Sequence, residues 1–148
     1  MMILGLLWPT FALVALVFVV WGTLFAQRMA HMRRRKPSLD DFASGEAARR
    51  YFQPVEMPAN NLANLFELPV LYFALVPLLI VTGQAHLPQV VLAWLFVSLR
   101  AAHSDVHIVL KKVPLRFVLY LGSSAVLMAM WIGFFVDAVG MAGPLAQP

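Results

Sequence analysis

The sequence predicts an all-α, polytopic membrane protein in which four transmembrane helices form a single domain. Of its 148 residues, 61% are hydrophobic and only 12% are charged, whereas soluble domains carry about 25% charged residues. The mean hydropathy is +0.80. Long apolar stretches separated by short polar segments predict spans at about residues 3–27, 57–82, 88–111 and 114–139.

The first predicted span is an uncharged apolar run. At 1.5 Å per residue it reaches roughly 37 Å, which is enough to cross a bilayer with some tilt and too long for a signal-peptide core. The polar segment 28–53 that follows is predicted to be a long loop, and the tail 140–148 to be irregular. Pro69 and Pro77 are predicted to kink the second transmembrane helix. Residues 113–115 are predicted to form the turn between the third and fourth spans.

The second predicted span opens with polar side chains. Asn60, Asn64 and Glu67 are predicted to share one helix face, with Glu67 roughly 10 Å below the membrane edge. A buried carboxylate needs a cation or hydrogen-bond donors, or else it protonates. Arg100 and the imidazoles of the third span are the partners that the sequence offers.

Charged and imidazole side chains follow one face of the third predicted span. The set is Arg100, His103, Ser104, His107 and Lys111. At about 100° per residue they would lie on one narrow face of a single helix. Ionisable groups in hydrocarbon cost about 2.5–3.5 kcal/mol each, so this face should meet protein, water or a polar ligand. The fourth span opens with Arg116 and Tyr120, which also share a face, and the two faces should meet at one membrane edge.

The residues where the polar faces of the third and fourth spans meet are typical of an anion site. Arginine beside tyrosine and histidine can hold a carboxylate, a phosphate or a thiolate. The chain has no cysteine, so any thiol would come from a cosubstrate, and a fixed cation would lower the pKa of that thiol. The pair His103 and His107 would also suit a metal, but Arg100 and Lys111 oppose a cation, and no metal site is predicted. The alternative is a structural role, in which polar side chains hold helices together.

The basic residues predict the orientation. Ten of the eleven Lys and Arg residues lie in the first loop or at the third turn, and only Arg100 lies inside a span. The positive-inside rule then places both segments in the cytoplasm of a cell-membrane protein whose termini are both outside and whose site opens to the cytoplasm. The basic cluster 28–36 would also suit anionic lipid headgroups, although a topology signal is the favoured interpretation.

Two segments resemble the MAPEG family, the membrane-associated proteins of eicosanoid and glutathione metabolism. Residues 60–72 read NNLANLFELPVLY and are similar to a second-helix motif of the family, in which an acid follows an asparagine by three residues. Residues 95–107 read LFVSLRAAHSDVH. With Pro114, Arg116 and Tyr120 they resemble the third helix and the fourth-helix start of microsomal prostaglandin E synthase and its microsomal glutathione transferase relatives. The residues of both motifs are most similar to those of bacterial members of the family.

The resemblance implies a homotrimer of four-helix bundles, with glutathione as cosubstrate in a cleft between subunits. It implies a transferase or peroxidase acting on a lipophilic electrophile, in contact with membrane lipids and not with nucleic acid. Arg116 would stabilise the thiolate and Tyr120 would support it. The implied glutathione-binding residues are Asn64, Glu67, Arg100, His103 and His107.

The sequence also departs from the family pattern. An arginine that eukaryotic members carry shortly before the asparagine motif is missing, His107 stands where the compared enzymes have tyrosine, and Phe117 stands where the prostaglandin enzyme has serine. Because the family includes a non-catalytic lipid-binding member and fold transfers better than activity, a binding or scaffold protein of the same fold is the alternative function.

Overall fold

The structure, a computed structural model, describes the backbone of residues 2–145 and the side chains of residues 2–140. Within that part of the chain every regular element is helical, which confirms the all-α prediction. The helices are α1 (Met2–Arg34), α2 (Gly45–Phe52), α3 (Met57–Phe66), α4 (Pro69–Val81), α5 (Leu87–Asp105) and α6 (Val113–Leu145). Short 3₁₀ turns at Asp40–Phe42 and Gln53–Val55 flank α2, and a π-helical turn at Val106–Leu110 follows α5.

Helix α5 lies in the middle of the bundle, with α1 on one side and α6 on the other, while α3 packs against α1 and the π-helical turn. Large apolar side chains fill the space between them. Tyr72 and Phe96 are fully buried and their rings stack with centroids 5.1 Å apart. The Tyr72 hydroxyl lies 3.1 Å from the hydroxyl of Thr10, so one polar contact fixes α4 against α1.

Three helical segments among the described residues are long and apolar enough to cross a membrane: Met2–Arg34, Met57–Val81, which comprises α3 and α4, and Val113–Gly140. Their outward faces carry exposed aromatic side chains, such as Trp8, Phe18 and Phe135. Such faces suit lipid and not water. Helix α5 with its π-helical turn occupies the position predicted for the third span, and that span remains a prediction.

The break in the second predicted span lies where proline predicts it. Helix α3 ends at Phe66, Glu67 has a non-helical backbone (ψ −95°), and α4 begins at Pro69. Proline is well suited to a first helical turn because its missing N–H has no partner there in any case. Pro77, by contrast, lies inside α4 without ending it.

The prediction of a long loop over residues 28–53 is wrong, because α1 continues through the basic cluster to Arg34 and α2 occupies much of the remainder. The Ser44 hydroxyl accepts a hydrogen bond from the N–H of Ala47 at 3.1 Å and so caps α2. Buried Tyr51 ties α2 to α1: its hydroxyl donates to the carbonyl of Arg35, and its ring lies 4.9 Å from that of His31.

Two further boundary predictions are corrected. The chain turns at Lys111 and Lys112 instead of at residues 113–115, because Lys111 takes a left-handed backbone conformation (φ 54°) and Val113 already begins α6. The expected irregular tail is helical as far as Leu145, and residues 146–148 lie outside the described part of the chain.

Candidate functional site

The predicted polar face of the third span is largely confirmed. Arg100, His103, Ser104 and His107 are all buried against protein. Lys111 does not belong to this face and is exposed. The π-helical turn changes the helical register after Asp105, and the left-handed conformation of Lys111 then ends the helix.

In the second span, the buried polar side chain is not among those that the sequence predicts. Asn60 and Glu67 are exposed and Asn64 is half-buried, whereas the buried asparagine is Asn61. Glu67 is therefore not the buried carboxylate that its depth in the sequence suggests. In one continuous helix Glu67 would share a face with Asn60 and Asn64. Because α3 stops at Phe66 and Glu67 has a non-helical backbone, the carboxylate does not lie on that face.

A cavity of about 560 Å³ opens between the end of α3 and the start of α6. It is lined by Asn64, Glu67, His103, Val113, Pro114, Arg116, Phe117 and Tyr120. Its volume lies within the usual range for small-molecule sites, about 300–1,000 Å³. The cavity combines one cation, one carboxylate, an amide and a phenol with an apolar wall, so it suits a zwitterionic or anionic ligand that also meets an apolar partner.

Five of the seven predicted site residues line this cavity, and Arg100 and His107 do not. Arg100 is completely buried behind it. One guanidinium nitrogen of Arg100 donates to the carbonyl of Asn64, and the guanidinium carbon lies 5.8 Å from the centre of the Tyr120 ring. Arg100 therefore connects α3, α5 and α6 directly behind the cavity wall.

The other Arg100 nitrogens, Nε and Nη1, are buried without a hydrogen-bond partner among the described residues. An uncompensated charge or donor in such a place is unfavourable by several kcal/mol. Within the described part of the chain, these two donors of Arg100 are therefore left without an acceptor.

His107 holds Arg116 from the side away from the cavity. Nη1 of Arg116 donates to Nε2 of His107 at 3.1 Å, so the imidazole is neutral with its proton on Nδ1, which is the tautomer that this contact requires. Both residues line a smaller cavity of about 30 Å³ beside Lys111 and Lys112. Arg116 lies between the two cavities, and one edge of its guanidinium is held in position.

His103 is positioned by the main chain of α6. Its Nδ1 lies 3.1 Å from the carbonyl oxygen of Arg116, and since a carbonyl only accepts, Nδ1 is the donor. Its ring centre lies 6.0 Å from that of Tyr120 and 5.8 Å from that of His107. In the neutral ring Nε2 is then an acceptor, and it has no partner among the described residues.

Sequence reasoning missed Asn61 and the apolar wall of the cavity. The Oδ1 of Asn61 lies 3.4 Å from the hydroxyl of Ser104, which joins α3 to α5. The spacing Pro58, Asn61, Leu65, all buried, marks the inner face of α3 by helical periodicity. That signal was available in the sequence, although the nearby Asn60 and Asn64 obscured it.

Among the described residues no group of three or more His, Asp or Glu side chains is placed to hold a metal ion. The cavity and its surroundings are built from guanidinium groups, imidazoles, an amide, a phenol and the carboxylate of Glu67. Those groups bind anions and polar organic ligands through hydrogen bonds.

One known protein family matches most of the chain. The model of the MAPEG family matches residues 6–136, which include every residue of both cavities. Comparison with curated proteins and with solved structures gives no significant match. The chain belongs to the MAPEG family of membrane proteins.

Proposed function

We propose that the protein is a glutathione-dependent transferase or peroxidase that acts on a lipophilic electrophile dissolved in the bilayer. The observation that carries the proposal is the cavity in which Arg116 lies beside the apolar side chains of Val113 and Phe117 on the same helix, α6. A soluble anionic cosubstrate finds polar partners in this cavity, and an apolar substrate finds an apolar lining next to them.

The polar groups of the cavity suit the chemistry of glutathione, which carries one ammonium and two carboxylates around peptide bonds. Glu67 offers a partner for the ammonium, and Asn64 for the peptide amides. Arg100 lies buried behind the cavity and would act in glutathione binding by holding Asn64, through its main-chain carbonyl, and Tyr120 in position. His103 and His107 fix the surrounding groups, as their contacts with Arg116 indicate.

Arg116 is the proposed catalytic cation and Tyr120 the supporting donor. A fixed guanidinium favours the thiolate over the thiol and so lowers the thiol pKa. In a transfer reaction the thiolate sulfur forms a bond to the electrophilic carbon, and the leaving group departs with its electron pair. The residues of this chain bind, orient and stabilise charge, while the sulfur comes from the cosubstrate because the chain has no cysteine.

We propose the family assembly for this chain as well. The chain would cross the cell membrane four times, with both termini outside, and would form a homotrimer that holds glutathione between neighbouring subunits. The exposure of Glu67 at the edge of the cavity supports an assembly in which groups of a neighbouring subunit complete the site. The resemblance of the two motifs to bacterial members supports a bacterial cell membrane.

The hydrogen bond between Arg116 and His107 favours a second candidate function. It gives Arg116 an internal partner, as a purely structural residue would have. A lipid-binding or scaffold protein of the same fold would keep this contact without any chemistry.

Glutathione binding by calorimetry, together with turnover of a chlorodinitrobenzene-type electrophile, separates the two functions. The enzyme hypothesis predicts binding and conjugation by the purified protein, and weaker binding of glutathione by Glu67→Gln. Glu56→Gln is the matched control, since Glu56 precedes α3 and does not line either cavity. Absence of both binding and turnover would favour the scaffold.

A further inference from the structure

A second large groove lies on the outer surface of α1, away from the candidate site. Its volume is about 640 Å³. It is lined by Phe25, Ala26, Met29, Ala30, Arg33 and Arg34. These positions repeat at intervals of three and four along one helix, so they form a continuous stripe on one face.

The groove changes from apolar to basic along its length. From Phe25 to Arg33 the helix rises by about 12 Å. The uncharged part of α1 ends at Gln27, so the groove begins at the hydrocarbon boundary and its arginines reach the headgroup layer, which is about 5–7 Å thick on each side of a bilayer. Its apolar and charged ends thus match the order of acyl chain and headgroup in a phospholipid.

The neighbouring Arg28 and Arg35 already have partners, whereas Arg33 and Arg34 have none among the described residues. The Arg28 guanidinium lies 4.7 Å from the centre of the Phe52 ring. Arg35 lies 3.9 Å from Asp41. Arg33 and Arg34 are exposed, and no described carboxylate lies within salt-bridge distance of either. Two adjacent cations therefore remain available for an external anion.

We propose that this groove binds one phospholipid with a net negative headgroup. The phosphate lies between Arg33 and Arg34, and an acyl chain follows Phe25 and Met29. Arginine holds phosphate oxygens through charge-assisted hydrogen bonds, and the apolar floor selects a lipid over a soluble phosphate. The site is separate from the glutathione cavity and does not depend on the proposed activity.

Native mass spectrometry from vesicles of phosphatidylcholine and phosphatidylglycerol tests the proposal. The purified protein should retain phosphatidylglycerol in preference to phosphatidylcholine, and added inorganic phosphate should not displace it. In Arg33→Gln/Arg34→Gln that preference should fall by about 10- to 30-fold, because each basic group near an anionic surface contributes about 1 kcal/mol, or roughly fivefold.

The matched control is Arg49→Gln/Arg50→Gln, which removes the same charge from exposed positions on α2, outside the groove. It should change the preference by less than about twofold. An equal loss in both double variants would mean that the attraction is diffuse, and retention of the preference by Arg33→Gln/Arg34→Gln would place the lipid elsewhere. Either result overturns the proposal.

A second copy of the chain is the other candidate occupant, and Met29→Cys distinguishes it because the chain has no cysteine of its own. A bimane label on the introduced thiol should be quenched more strongly by brominated phosphatidylglycerol than by brominated phosphatidylcholine. Formation of a disulfide between copies through this thiol, with equal quenching by both lipids, would assign the groove to a subunit interface and contradict the lipid site.

Discussion

At the scale of single residues, a few hydrogen bonds decide how the polar groups of this protein behave. Arg116 illustrates the point, because one edge of its guanidinium is bound to His107 while the residue also lines the larger cavity. A cation that is held in place on one side stabilises a developing negative charge without first reorganising. The same contact would suit a structural residue, so only measurements on variants separate the two roles.

The pKa of Asp41, in the segment after α1, gives a prediction at the same scale. The N–H and the hydroxyl of Ser38 donate to its carboxylate at 2.8 and 2.9 Å, and with nearby Arg35 they hold the pKa of Asp41 below the usual 3.8. Because the folded pKa is depressed, the stabilisation of this turn is present above the unfolded pKa and is lost as the pH falls through the folded pKa.

Ser38→Ala should raise the pKa of Asp41 toward its usual value, since one of the two Ser38 donors is removed. The carboxyl ¹³C shift of Asp41 against pH measures the change. Ser44→Ala, which removes the cap of α2 instead, should leave the titration of Asp41 unchanged. An unaltered titration in Ser38→Ala would mean that the Ser38 hydroxyl does not hold this carboxylate.

Periodicity predicted most of the site residues, and local backbone geometry accounts for those it misplaced. Arg100 and His103 lie on the regular helix α5, so their common burial could be read from spacing. His107 is also buried, at the start of the π-helical turn that follows. Lys111 lies beyond a π-helical turn, and Glu67 lies at a helix break. The π-helical turn has no clear sequence signal. Pro69 does mark the helix break but not where the carboxylate just before it will lie, so a helix projection assigns both Lys111 and Glu67 to the wrong surroundings.

At the scale of helices, the sequence predicted where α3 breaks but not where α1 ends. Proline marks a helix boundary through geometry, whereas charge alone does not end a helix. Residues 28–34 are mostly Arg, Met and Ala, which favour helix. Polarity therefore predicts an edge of the membrane near Arg28, while the helix continues as far as Arg34.

The contact between α1 and α5 depends on Gly5. A Cβ atom at Gly5 would lie 3.1 and 3.2 Å from the two methyl carbons of Val90. Valine is β-branched and has little freedom to move aside. We expect Gly5→Ala to destabilise the protein by about 1–3 kcal/mol through overpacking, measured as a lower unfolding temperature in detergent by tryptophan fluorescence.

Gly22→Ala is the control on the same helix, since a Cβ there meets no atom within 4 Å. It should leave the stability unchanged or raise it by up to about 1 kcal/mol through helix propensity. A similar loss in both variants would show that α1 tolerates no added side chain and that the contact with Val90 is not the reason.

At the scale of the whole molecule, the asymmetry of charge predicts the orientation. The basic segment from the end of α1 through α2 and the basic turn before α6 should be cytoplasmic, while the turn between α4 and α5 contains neither Lys nor Arg. In cells, Leu39→Cys should react with an impermeant maleimide only after the membrane is opened, whereas His86→Cys should react from outside. Both positions are exposed and the chain has no other cysteine. The reverse pattern would invert the topology.

The central claim is that Arg116 stabilises the thiolate of bound glutathione. The most direct measurement is the ultraviolet absorbance of that thiolate in the wild-type protein and in Arg116→Ala, followed together with the rate of conjugation and with glutathione affinity. Loss of one preorganised charge should remove about 2–4 kcal/mol of transition-state stabilisation, or about 10²–10³ in rate. Arg116→Lys should recover only part of the rate, because the planar guanidinium is lost.

Arg50→Ala, outside both cavities, controls for charge, and the unfolding temperature and oligomeric state control for structure. The account predicts that Arg116→Ala loses thiolate absorbance and activity in parallel while glutathione binding changes little. If binding and activity instead fall equally while the absorbance per bound glutathione is unchanged, Arg116 only anchors the cosubstrate, and the central claim is contradicted.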